Sequence, residues 1–155
     1  GTRPRASAGK PGLGIRFMPA DCLLDTNVLV YAVDSTTANR AKQARAIELI
    51  ERVDFGLSAQ VLQEFYVTVT RKIAKPLTAD AALQFLERFR AFPMVSVDQA
   101  LVVEGIRNSV KFQLSYFDGA ILAAAEQLHA RILYSEDLHH GQRYGEVEVK
   151  NPFCP

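Results

Sequence analysis

Four acidic residues stand where a carboxylate has a reason to be. Asp25 closes the apolar run Cys22-Leu23-Leu24, and Asp137 follows Ile132-Leu133-Tyr134. An acid ending an apolar strand is costly unless it is paired or liganded. Glu64 lies in SAQVLQEFY and Asp118 in SYFDGAILAAA, each within the first two turns of an expected helix. In a parallel sheet whose helices run antiparallel to the strands, strand C-termini and helix N-termini meet at one edge, where such folds bind ligands. The four carboxylates are therefore expected to share that edge. Crowded acids repel each other and their pKa values rise. A hard divalent cation such as Mg²⁺ relieves the repulsion, and it takes one or two carboxylates plus water and substrate phosphate. Such an ion polarises a phosphoryl oxygen and lowers the pKa of bound water.

Each acid also has a plainer reading. Ser115 three residues before Asp118 makes a capping box. Glu64 alone fits a solvated helix position off the apolar stripe, and Asp137 alone fits a turn with Ser135. Phosphotransfer through an aspartyl nucleophile at Asp25 would favour a second acid at position 27, where Asn stands. No glycine-rich phosphate loop is present, which counts against a nucleotide-hydrolysing enzyme.

The elements that must position these residues are legible as alternating apolar runs and amphipathic stretches. Strands are expected at Cys22-Leu24, Phe55-Leu57, Met94-Val97 and Ile132-Tyr134, with a fifth, Val147-Val149, at an edge. Ala46, Leu49, Ile50 and Val53 fall at helical spacing. Ser58 opens a helix carrying Leu62, Phe65, Tyr66, Val69 and Ile73, although the β-branched run Val67-Thr70 also fits a strand. Thr78 caps a helix with Ala82, Phe85, Leu86 and Phe89 on one face, where Phe85 and Phe89 suit either core or a partner surface. Asp98 caps a helix carrying Val103, Ile106 and Val110. Ser115 caps another that points Phe117, Ala120, Ile121, Ala124 and Leu128 inward. Apolar strands separated by helices indicate an α/β fold, with a parallel sheet covered on both faces.

Composition bounds the rest. The chain has 155 residues, enough for one domain with a substantial core. Its apolar runs fall far short of the roughly 20 residues of a membrane helix, so no membrane association is expected. Cys22 and Cys154 form no CxxC pair, and the pattern fits a reducing cytoplasm. The net charge of +1 misleads. Arg3, Arg5, Lys10 and Arg16 lie in residues 1–17, a Gly- and Pro-rich stretch expected to be a disordered tail or an expression remnant. Residues 18–155, the expected single domain, carry 14 basic against 17 acidic residues, a net of −3. Nucleic-acid binding must then rest on local cations, for which Arg40, Lys42, Arg71 and Lys72 are candidates, and on a metal. His139 and His140 fit a solvated loop, and His129 a helix end.

Taken together, LLDTNVLVYAVD, SAQVLQEFY, SYFDGAILAAA and LYSEDLHHGQ, in this order and at these spacings, resemble the PIN-domain nucleases, and in particular the VapC-type toxins of toxin–antitoxin pairs. The resemblance covers about residues 20–153, including the closing VKNPF. It implies a three-layer α/β/α fold with a central parallel sheet of about five strands. It implies an endoribonuclease using Mg²⁺ or Mn²⁺ on RNA, working as a homodimer and blocked by a cognate antitoxin. It carries the metal-binding and catalytic role onto Asp25, Glu64, Asp118 and Asp137, with Asn27 and Ser135 as supporting polar groups. The alternative is a catalytically silent module of the same fold that binds RNA or protein.

Overall fold

The computed structural model describes residues 19–155; the expected tail, residues 1–17, lies outside the described residues. Six strands form one sheet in the order β3-β2-β1-β4-β6-β5. They are β1 Cys22–Leu24, β2 Phe55–Ser58, β3 Met94–Val95, β4 Ile132–Tyr134, β5 Arg143–Tyr144 and β6 Val147–Lys150. All pairs are parallel except β5 with β6. β1 is buried along its whole length, as a strand covered on both faces must be. Leu23, Leu24, Phe55, Leu57 and Leu133 form the centre of the core.

Six α-helices join the strands: α1 Thr26–Val33, α2 Arg40–Arg52, α3 Ala59–Arg71, α4 Ala79–Glu87, α5 Gln99–Phe112 and α6 Tyr116–Gln127. The expected caps are in place. Ser58, Thr78, Asp98 and Ser115 each accept a hydrogen bond from a backbone N–H in the first turn of α3, α4, α5 and α6. These bonds satisfy donors that the helix leaves open. Val67-Thr70 is helical, because the buried stripe Val61, Phe65 and Val69 outweighs the β preference of the run.

Several expectations need correction. The sheet has six strands, and Val147-Val149 is not at an edge: β6 lies between β4 and the short antiparallel β5. α1 was not foreseen, because TNVLVYAV is apolar nearly throughout and shows no polar face to set a period. Phe117 points out, 60% exposed. Val103, Ile106 and Val110 lie on the outer face of α5, whose buried face is Leu101, Gly105 and Asn108. Phe85 and Phe89 belong to the core. Phe89 is buried, and Phe85 stacks on Phe65 with centroids 5.1 Å apart.

α5 and α6 pack backbone to backbone. A Cβ at Gly119 would lie 2.8 Å from the backbone N of Ser109 and would also meet the carbonyl oxygen of Gly105. The buried Asn108 amide donates to the Gly119 carbonyl at 3.1 Å, which locks the pair. Backbone cannot step aside, so Gly119→Ala is expected to destabilise the protein by roughly 1–3 kcal/mol despite alanine's better helix propensity. A thermal melt measures it, and an unchanged midpoint would mean that this contact is looser than described.

Candidate active site

The chain leaves β1 towards β2 and β3 on one side of the sheet, while β4 leads to β6 on the other. In such sheets the crevice between the two directions of winding is the usual ligand site. Here it lies beyond the ends of β1 and β4. Asp25 and Ser135 are the next residues of these paired strands, since Leu24 is in register with Tyr134. The Asp25 N–H donates to the Tyr134 carbonyl at 3.0 Å, extending the ladder by one step.

Asp25 is buried, 7% exposed. Its Oδ1 accepts from the Thr26 N–H at 2.7 Å and its Oδ2 from the Ser135 hydroxyl at 2.7 Å. Burial nonetheless pushes its carboxyl up to about 6, and the nearby charges of Asp137 and Glu64 push the same way. Glu64 is held by two donors, the Thr26 hydroxyl at 2.9 Å and the Gln60 amide at 3.1 Å. Asp137 accepts from the Asn27 amide at 3.3 Å, and its N–H donates to the Ser135 hydroxyl at 3.1 Å. The Asp118 carboxyl is also raised, first by desolvation and then by Asp137 and Glu64. Asp118 completes one half of the capping box, its N–H donating to Ser115 at 3.2 Å. The cap and the shared edge are therefore both present at this residue.

Glu64 and Asp137 act electrostatically on both Asp25 and Asp118, which puts the four acids at one edge. Asp25 is the deepest, Glu64 and Asp118 are half-buried, and Asp137 is exposed. Asn27 and Ser135 contact them as expected: Ser135 bridges Asp25 and Asp137, and Asn27 joins Asp137 to the backbone N–H of Glu136 at 3.3 Å. Two orienting residues escaped the sequence reading. Thr26 touches both Asp25 and Glu64. Gln60 links Glu64 to the Phe117 carbonyl at 3.4 Å. The available signal for Gln60 was its i,i+4 spacing from Glu64, which puts both on one helix face.

The four cations divide. Lys72 lines a groove of about 740 Å³ that also includes Glu64 and Asp137, whereas Arg40, Lys42 and Arg71 do not line it. Lys42 pairs with Glu136 at 2.9 Å and lies over the rings of Tyr31 and Phe153. That cluster clamps the turn between Ser135 and Asp137 to α1, α2 and the C-terminal segment. His139 and His140 are exposed in their loop, and the His140 ring accepts from the Asn151 N–H at 2.9 Å.

The donor set, four carboxylates without a bonded cation, is of the type that a hard divalent cation takes. Among the described residues no Lys, Arg or His forms an ion pair with any of the four acids. Two of them are held towards neutrality by burial and mutual repulsion, a penalty that a bound cation removes. Among the described residues no three His, Cys, Asp or Glu side chains stand together closely enough to hold a metal ion between them. Mg²⁺ does not need such a cage, because it keeps several waters. Among the described residues no helix is long and apolar enough to cross a membrane.

Comparison with known proteins agrees with this architecture. No curated protein sequence matches the chain. Among solved structures, it is similar to Mycobacterium tuberculosis VapC20, a sarcin–ricin loop cleaving toxin, with 17% identity and a TM-score of 0.60 over 75% of this chain and 89% of that one. It is similar to a chain of a toxin–antitoxin complex from Klebsiella pneumoniae, with 16% identity and a TM-score of 0.64 over 85% and 98% of the two chains. A chain of VapBC2 from Rickettsia felis, bound to a DNA fragment from its promoter, gives 16% identity and a TM-score of 0.56 over 83% and 96%. At these identities the likeness establishes the fold. The sequence itself matches the PIN domain over residues 22–145, from the first residue of β1 through the last strand but one, and the chain belongs to the PIN domain family.

Proposed function

We propose that the chain is a metal-dependent endoribonuclease, the VapC-type toxin of a toxin–antitoxin pair, acting on RNA in the cytoplasm. The observation that carries this is the buried Asp25 at the β1–β4 crevice, with the charges of Glu64 and Asp137 beside it, the same two acids acting on Asp118, and no paired cation among the described residues. Similarity in fold to a toxin that cleaves the sarcin–ricin loop and to chains of toxin–antitoxin complexes supports the substrate class and the antitoxin partner. Asp25, Glu64, Asp118 and Asp137 are the residues that would hold Mg²⁺ or Mn²⁺. When bound, such an ion neutralises charge on the phosphoryl group and yields a stronger oxygen nucleophile from water.

The chain's own groups do the rest. Ser135 and Thr26 fix the direction of the Asp25 carboxylate, Asn27 that of Asp137, and Thr26 with Gln60 that of Glu64. Asp118, half-buried and raised by desolvation and by the charges of Asp137 and Glu64, adds its carboxylate to the set that would hold the cation. The exposed apolar side chains Val103, Ile106, Val110 and Phe117 support a homodimer through α5 and the start of α6.

Mapping RNA ends after a pulse of expression, with Asp25→Asn alongside, tests the proposal. Discrete new ends are expected with the wild type and none with the variant. Identical end profiles would count against a nuclease at this site.

A further inference from the structure

A groove opens beside the acids. It runs between α1 and α3, with Glu64 and Asp137 towards the sheet edge and Lys72 on its lining. Lys72 directly follows α3, eight positions after Glu64, roughly 12 Å along the axis at a rise of 1.5 Å per residue. Lys72 is the one cation among the described residues that lines the groove. Val30, Val67 and Ile73 supply apolar lining, and Val67 stays 46% exposed. The remaining acid on the lining, Asp34, keeps its charge and directs it into a local turn. Its Oδ1 accepts from the Thr36 N–H and hydroxyl and its Oδ2 from the Asn39 amide, and these bonds hold its carboxyl below the usual range.

We propose that this groove seats the nucleotide flanking the scissile phosphate of a single-stranded RNA, with Lys72 gripping the next phosphate along the strand. The proposal rests on the nuclease reading and adds the direction in which the strand leaves the site. The cavity lies within the ~300–1,000 Å³ of a ligand cleft. Apolar walls suit an unstacked base or ribose, as single-stranded RNA presents them. The acids themselves repel a polyanion, so a strand reaching them needs a cation on its path, and Lys72 is where one stands. A basic polypeptide segment is the other occupant that this lining, with Asp34, Glu64 and Asp137 against Lys72, would attract, and Val67→Glu separates the two, since an added acid weakens the binding of RNA and not of such a segment.

Single-turnover cleavage of an unstructured RNA, over a range of salt, tests this with Lys72→Gln, Arg71→Gln and Val67→Glu. Arg71 is the neighbouring residue and loses the same charge, but it does not line the groove. Lys72→Gln is expected to raise the half-saturating RNA concentration about 5–10-fold and flatten its logarithmic salt dependence by about 0.7, the value for one contact to a single strand. Its maximal rate should stay within about twofold by the same reasoning. Arg71→Gln should match wild type, and Val67→Glu, which places an acid in the groove at an exposed position, should weaken binding at least as much as Lys72→Gln. Equal effects of Lys72→Gln and Arg71→Gln would reduce the lysine to bulk charge and overturn the proposal. Wild-type kinetics in all three variants would also overturn it and leave the groove to a polypeptide. A wild type that neither binds nor cleaves RNA removes the nuclease reading itself, and this proposal with it.

Discussion

In EDTA at neutral pH, Asp25→Asn is expected to melt at a higher temperature than the wild type. The Asp25 carboxyl titrates near 6 in the folded protein against 3.8 in the unfolded chain, so the folded state holds the proton more tightly. The resulting penalty is absent below about pH 4, grows as pH rises through the interval, and is complete above pH 6. At 1.36 kcal/mol per unit it reaches about 3 kcal/mol. Asn keeps the shape, an oxygen for the Thr26 N–H and an amide for the Ser135 hydroxyl, without the charge. For a chain of this size the gain corresponds to at most roughly 6–12 °C. The difference should shrink towards pH 4. It should also shrink when Mn²⁺ is added, because the wild type then gains ~2.7 kcal/mol at a hundredfold excess over its dissociation constant. Melts of both proteins at pH 4 and 7.5, with EDTA and with Mn²⁺, supply the four comparisons. A variant less stable than wild type in EDTA at pH 7.5 would mean that Asp25 is not held at an electrostatic cost.

The second large effect is on rate, and its pattern matters more than its size. Asp25→Asn and Asp118→Asn should each slow RNA cleavage by on the order of a hundredfold or more, since losing the metal forfeits several kcal/mol of transition-state stabilisation. The double variant should be scarcely slower than either single one, because both act through one site. If Asp118 served only as the capping partner of Ser115, Asp118→Asn would cost about 1 kcal/mol of stability and leave cleavage nearly intact. The half-buried, raised carboxyl of Asp118 argues for the first outcome. Single-turnover rates of the three variants, beside their melting curves, separate the two roles.

Asp25 stood out because an acid directly after an apolar strand has few structural excuses, and Asp137 because it lies just beyond the strand Ile132-Tyr134, although a turn with Ser135 would also account for it. Glu64 and Asp118 were legible because Ser58 and Ser115 announce helix starts, which the sheet then delivers to the same edge. The caps at Thr78 and Asp98 were readable for the same reason: a side-chain oxygen next to an open N–H is local chemistry. What escaped the sequence was set by tertiary contact. α1 is apolar around most of its circumference, because it packs against both α2 and α3, so no period marks it. Val103, Ile106 and Val110 look like core residues by type, yet α5 turns towards α6 its face of Leu101, Gly105 and Asn108, leaving the apolar stripe outside. The pairing of Lys42 with Glu136, two residues 94 apart in the chain, has no local trace. Neither does the role of Thr26, whose hydroxyl reaches across to α3.

The central claim is that this cluster of acids cleaves RNA with a divalent cation. Its most direct test is single-turnover cleavage of one RNA by wild type and by Asp25→Asn purified identically, in Mg²⁺, in Mn²⁺ and after EDTA. Cleavage by the wild type in either metal, its loss in EDTA, its return when metal is restored, and at least a hundredfold slower reaction by Asp25→Asn are expected from the metal's several kcal/mol. Cleavage that persists in EDTA, or an Asp25→Asn protein as fast as wild type, would contradict the assignment of catalysis to this site.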